Sequence, residues 1–199
     1  MAVTPNYSWP VPVNTDYVKD GAEAIKDLGD AIDSTVFGLP SGALALVKTQ
    51  TIGTAVSSVT VSSAFSATYD SYKIFVTGGA ASANGRLSLE LDGLTASYYS
   101  GAFGALFTTG AFTGLAGNNV AKWFNAGYCE TTFLAMNVEL VNPFLTKKTA
   151  FSAAFMIMTS GFGASAGTQE SATSATGFVI APESGTMTGG TISIYGYRK

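Results

Sequence analysis

The sequence predicts a mainly β protein: an antiparallel, jelly-roll-like β-sandwich preceded by one N-terminal helix and an extended proline-rich arm. Three observations carry that expectation. From residue 43 onward, short apolar–polar alternations recur between Gly- and Ser-rich turns, with no helical period among them. Residues 15–37 instead repeat apolar positions every seven residues. Residues 1–14 hold Pro5, Pro10 and Pro12, which exclude a helix or a central strand there. The expected organisation is an arm at 1–14, a helical stalk at 15–39 and a β domain at 40–199.

The arm also carries Tyr7 and Trp9. A proline-rich extended segment loses little entropy on docking, and Trp and Tyr are enriched where proteins meet. Pro5, Tyr7, Trp9 and Pro10 are therefore the candidate docking residues. An arm lying across its own domain is the alternative.

The next segment reads as a helix with Thr15 as N-cap and Asp16 in the first turn. Residues 16–36 would span about 32 Å. Val18, Ile25 and Ile32 lie seven apart, and Leu28 joins Gly21 and Thr35 in the adjoining seam. The back of the helix is acidic. Val18, Ile25, Leu28 and Ile32 are the candidate oligomerisation residues. An amphipathic helix packed on its own β domain stays open, and so short a heptad does not fix an oligomeric number. Gly38, Pro40 and Gly42 end the helix and open a turn.

In the β domain, Val59 and Val61 alternate with polar residues, as do Tyr72, Ile74 and Val76. Leu87, Leu89 and Leu91 alternate with Ser88, Glu90 and Asp92, the pattern of a half-buried strand. Further strands are expected at 123–129, at Leu134, Met136, Val138 and Leu140, at Phe151, Ala153, Phe155 and Ile157, and at 177–181 and 191–197. The total expected is eight to ten. Residues 78–85 read as a short loop and 161–177 as a long, mobile one.

Composition narrows the chemistry. Ala, Gly, Thr and Ser supply 95 of the 199 residues, and charged residues only 12%. There is no histidine and one cysteine, Cys129. Those counts exclude an intrachain disulfide, a Cys–His zinc site and a histidine-based triad. No apolar run reaches the roughly 18 residues of a membrane helix, and the first residues lack the pattern of a secretory signal. The net charge of −3 argues against nucleic-acid binding. Residues 1–39 carry −4, and 40–199 carry seven acidic and eight basic side chains. A surface so poor in charge suits a subunit of an assembly, and equally a compact Ser/Thr-coated domain.

No catalytic set emerges. Glu90 and Asp92 share one strand face, where a leucine strand needs polar residues for water. Glu130 and Glu139 have no detectable partner in sequence. Gly101, Gly104 and Gly110 lack the helix and lysine of a phosphate cradle. Asp70 and Asp92 read as turn residues, Lys147 and Lys148 as a solvated turn, and Cys129 as core. Tyr98, Tyr99 and Trp123 are the candidate contacts for a sugar ring, although aromatics more often fill cores. No cofactor or metal is expected.

Thr4-Pro5-Asn6-Tyr7-Ser8-Trp9-Pro10, then Asp16-Tyr17-Val18-Lys19-Asp20-Gly21-Ala22, Ile25, and Leu28-Gly29-Asp30-Ala31-Ile32-Asp33, resemble the N-terminal segment of tailed-bacteriophage fibre and minor tail proteins. The resemblance covers about 35 residues. Residues 190–197 and the stretch from Glu139 to Thr149 are similar to parts of small β-sandwich heads on such fibres. The family implies a non-enzymatic virion protein: a homotrimer attached through its N-terminal arm to other virion proteins, its head displayed outward toward a host-surface glycan. The chain departs from long fibres in having no shaft and no β-helix repeats. Gly21 and Thr35 weaken its seam, so the head would share the trimer contact. A purely structural head-decoration or tail-connector subunit without receptor is the second expectation. A glycan depolymerase working between subunits is the third.

Overall fold

The computed structural model describes residues 2–13, 17–38, 43–155 and 161–199. Thr15, Asp16, Pro40, Gly42 and Ile157 lie outside the described residues. The chain divides into two compact units, Met1–Gly42 and Ala43–Lys199.

In the first unit, β1 (Ala2–Val3) pairs antiparallel with β2 (Pro10–Val11). The arm is therefore a tight hairpin and not an extended strand. Its turn is closed by Thr4, whose N–H donates to Trp9 O at 2.9 Å and whose hydroxyl accepts from Trp9 N at 3.0 Å. Pro10 is tolerated because a two-residue edge strand needs few donors. A short 3₁₀ turn, Val18–Asp20, leads into α1 (Gly21–Gly38). The Trp9 indole N–H donates to Thr35 Oγ1 at 2.9 Å, and Thr35 in turn donates to Ala31 O at 2.8 Å. This bond ties the hairpin to the helix and satisfies an indole that would otherwise lose its partner on burial.

The second unit is built from β3 (Leu44–Thr51), β4 (Val59–Val61), β5 (Ser71–Thr77), β6 (Ala80–Ala81), β7 (Gly85–Leu91), β8 (Tyr98–Leu106), β9 (Phe112–Val120), β10 (Trp123–Cys129), β11 (Leu134–Val141), β12 (Thr149–Phe155), β13 (Gly161–Gln169), β14 (Phe178–Pro182), β15 (Met187–Thr188) and β16 (Thr191–Tyr197). Twelve of these form one antiparallel system. It folds into two layers of a sandwich. The larger layer runs β3-β16-β5-β11-β12-β13-β8-β9 and the smaller β4-β14-β7-β10. Met136 pairs with Val76 on one side and Gly127 on the other, so β5 and β10 flank β11 on opposite edges. Beyond residue 136, β12 takes over the edge that β10 leaves.

Alternation places Leu134, Met136, Val138 and Leu140 in the core, together with Tyr72, Ile74 and Val76 of β5 and Ile192 and Ile194 of β16. From the smaller layer come Leu87, Leu89, Leu91, Phe178, Ile180 and Trp123. The Trp123 ring bridges the layers. It stacks on Phe151 at 4.6 Å and meets Tyr98 edge-on at 4.8 Å.

Two loop expectations fail. Residues 161–169 form β13, a full strand between β12 and β8. Small residues are what this pairing requires: a Cβ on Gly167 would lie 2.1 Å from the Tyr99 carbonyl oxygen. Within 78–85, β6 pairs with β15. Gly79, at φ +72°, sets its backbone against Gly189, leaving no room for a side chain. With β3, β8 and β9 added, the strands exceed the eight to ten expected.

Replacing Trp123 by Ala is expected to cost about 3–5 kcal/mol in urea unfolding, the usual penalty for emptying an aromatic core site. Trp123→Phe is expected to cost clearly less. It keeps the stacked ring and removes an indole N–H that has no partner among the described residues.

Candidate interaction surfaces

The helix of the first unit has two apolar faces, and the hairpin covers one of them. Ala24 is buried on that side, with Leu28 and Thr35 four and eleven residues further on and half-buried. The adjoining face, about 90° round the helix, is open. Val18 is 98% and Ile25 66% exposed, Val36 is exposed, and Ile32 is half-buried beside them. Of the expected oligomerisation residues, Leu28 therefore belongs largely to the hairpin, while Val18, Ile25 and Ile32 keep a common stripe. In the hairpin, Pro5 and Tyr7 are exposed and Trp9 and Pro10 half-buried. Tyr7 stacks on Trp9 at 5.1 Å, presenting one flat aromatic pair.

The expected sugar contacts divide differently. Tyr98 and Trp123 are fully buried in the core. The Tyr98 hydroxyl accepts from Leu91 N at 2.7 Å and donates to Leu94 O at 2.8 Å, locking the turn after β7. Burial pushes this phenol well above its ordinary pKa. Both residues are core, the outcome their size favours. Tyr99 points to the opposite face and keeps about a third of its surface exposed.

Two depressions on the β domain bear on ligand contact. One, of about 320 Å³, is lined by Arg86, Ser100, Leu115, Lys122, Phe124 and Glu183, among others. Its wall is an Arg86–Glu183 pair, with Nε donating to Oε2 at 3.0 Å and a second guanidinium nitrogen donating to Oε1. The guanidinium holds the Glu183 carboxyl below the usual carboxylate range. Lys122 sits over the Phe124 ring, 5.7 Å from its centre. The other depression is a shallow trough of about 680 Å³ on the outer face of the larger layer. Gly101, Ala164, Ala166 and Ala154 form its floor, with Phe103 to one side and Lys73 and Glu139 to the other.

Glu139 has the partners its sequence context did not disclose. Tyr197 Oη donates to its Oε1 at 2.7 Å and Lys73 Nζ at 2.9 Å. Cys129 is buried beside the Gly85 carbonyl, and burial raises its thiol pKa, which makes it unreactive. Glu90 is half-buried on the solvent side of β7, and Asp92 is exposed in the turn that follows, as its reading as a turn residue expects. No described helix is long and apolar enough to cross a membrane.

Sequence reasoning passed over a cluster of exposed rings: Phe103, Phe107, Phe112 and Phe162. The signal was present, because residues 93–121 contain no charged side chain yet hold three of these phenylalanines. It was obscured because β8, β9 and β13 are too rich in Gly and Ala to show alternation. Comparison of the chain with family models, with curated proteins and with solved structures finds no match.

Glu139 makes stability depend on pH. Its hydrogen bonds, first from Tyr197 and then from Lys73, hold the carboxyl below the usual range. The resulting stabilisation is complete above the unfolded value of about 4.3 and fades as the pH falls through the lower folded value. Glu139→Gln is expected to unfold at lower urea than wild type at neutral pH. The difference stays below about 1 kcal/mol, because the carboxylate is half-exposed. The two chains should converge below about pH 4.

Proposed function

We propose that this chain is a non-enzymatic virion structural protein of a tailed bacteriophage: a short trimeric fibre or tail appendage. The hairpin docks on other virion proteins through Pro5 and Tyr7. Helices from three copies meet along Val18, Ile25 and Ile32. The β domain is displayed as a head toward the host surface.

The observation that carries this reading is the open stripe on α1. A helix that already has one apolar face covered has no local use for a second, and the exposed Ile25 seven residues before the half-buried Ile32 matches a coiled-coil seam, with the exposed Val18 in the 3₁₀ turn ahead of it. The resemblance of residues 4–10 and 16–33 to fibre N-termini points the same way. For a host glycan, the Arg86–Glu183 depression replaces Tyr98 and Trp123 as the contact on the head. It combines hydroxyl and charged groups with the Phe124 ring and the Leu115 side chain. Three such sites on one trimer would raise weak binding by avidity of about 10² or more where receptors can be spanned together. The burial of Tyr98 and Trp123 favours the second reading, a structural subunit with no receptor.

Light scattering of the full chain is expected to give three times 20.4 kDa. With Cys129 buried, Ile25→Cys introduces the accessible thiol, and mild oxidation should then link chains pairwise on a denaturing gel. A monomeric mass would overturn the reading. An oligomer whose Ile25→Cys form never cross-links would remove the bundle.

A further inference from the structure

Among the described residues, the outer face of the larger layer carries the largest group of exposed aromatic rings on the β domain. Phe103, Phe107, Phe112 and Phe162 are 62, 62, 80 and 56% exposed. Phe112 lies opposite Ala105, and Ala105 opposite Phe162, so in antiparallel register these side chains leave the same face as Phe103. Phe107 stacks on Phe162 at 5.8 Å. The rings do not fold into the core, because this face looks away from the smaller layer.

A second feature adjoins the rings. β9 forms an edge of the larger layer, with β8 as its one strand neighbour among the described residues. It is nine residues long and exposed over most of its length. Edge strands are normally protected by charge, proline or shortness. β9 has none of these, and β8 and β13 beside it also lack any charged residue. The bulge between β8 and β9 opposite Tyr98 and Ser100 interrupts only the far end of the strand. The open edge and the exposed rings therefore meet on one uncharged corner of the molecule.

We propose that this corner is an interface with a second copy of the chain, in which the phenylalanine cluster of one copy seats on the Gly/Ala-lined trough of the next. Area favours a protein partner of this size. At about 200 Å² for a whole aromatic side chain, the four rings expose roughly 500 Å². A standard interface takes roughly 800 Å² from each partner, and the trough floor beside the rings brings the patch toward that size. Charge favours a copy. The β domain carries only one net positive charge, so copies do not repel. The trough's one ion pair, Lys73–Glu139, is satisfied within its own chain. Rings and trough lie side by side on one face, Phe103 bordering both. Both copies then present the same surface, the rings of each on the trough of the other, which is an isologous two-fold contact. The inference goes beyond the helix bundle and does not need it.

The test uses the full chain with two variants at exposed positions, Phe103→Ser/Phe162→Ser and Phe112→Lys, each checked for unchanged circular dichroism. Ile25→Glu serves as the helix control. If the corner joins copies, both phenylalanine variants dissociate at concentrations where wild type is oligomeric, with self-association weakened by about tenfold or more. Phenylalanine variants that keep the wild-type mass overturn the interface, whatever Ile25→Glu does. A loss of mass in Ile25→Glu alone keeps the bundle and sinks the corner. The reverse pattern keeps the corner and sinks the bundle. A wild-type monomer overturns the proposal, and its flotation with neutral phosphatidylcholine vesicles would reassign the rings to a lipid surface.

Discussion

Both layers of the β domain are hydrogen-bonded to the same strand, β11. Its first residues pair with β10 of the smaller layer and the rest with β12 of the larger, while β5 holds its other edge. The register of this strand therefore fixes both layers at once. A slip by one residue would turn Leu134, Met136, Val138 and Leu140 outward and bring Asn137 and Glu139 in. Burying that carboxylate without Tyr197 and Lys73 would be costly. Trp123, stacked on Phe151 and met edge-on by Tyr98, then packs the two layers together.

The molecule obtains its specificity with few charges. Polar groups in the core are used as ties: Tyr98 locks the turn after β7, and Tyr72 both donates to Ser66 O and accepts from Ser66 N. Ion pairs such as Lys148–Glu170 lie at the surface, where they contribute little. The first unit follows the same economy. One indole–hydroxyl bond ties the hairpin to its helix, the Tyr7–Trp9 stack lies within the hairpin itself, and the described residues of this unit leave the second helix face uncovered.

Strands with a half-buried leucine, valine or isoleucine alternation were legible from sequence, β5, β7 and β11 above all. β8, β9 and β13 were not. Their side chains are mostly Gly, Ala, Ser and Thr, so burial is set by backbone spacing, as at Gly167, and leaves no hydrophobic period. The helix was legible from its heptad, but its division into covered and open faces was not. That division depends on a hairpin closed by Thr4 and Trp9, and a proline-rich segment reads as extended when such side-chain ties are invisible. Tyr98 and Trp123 were visible as aromatic but not as core, since a Tyr-Tyr pair on a strand does not say which ring turns inward.

The position of β16 has a consequence for how the domain is made. β16 lies between β3 and β5 and pairs with both. Leu44 therefore waits for Tyr197 before it has a neighbour, and the larger layer cannot close while the intervening chain is still emerging. Such long-range pairing slows folding. During that interval β3 and the β16-facing edge of β5 are unpaired, a state prone to aggregation. Slow synthesis, low temperature or a chaperone should then improve yield more than any single stabilising substitution in the finished core.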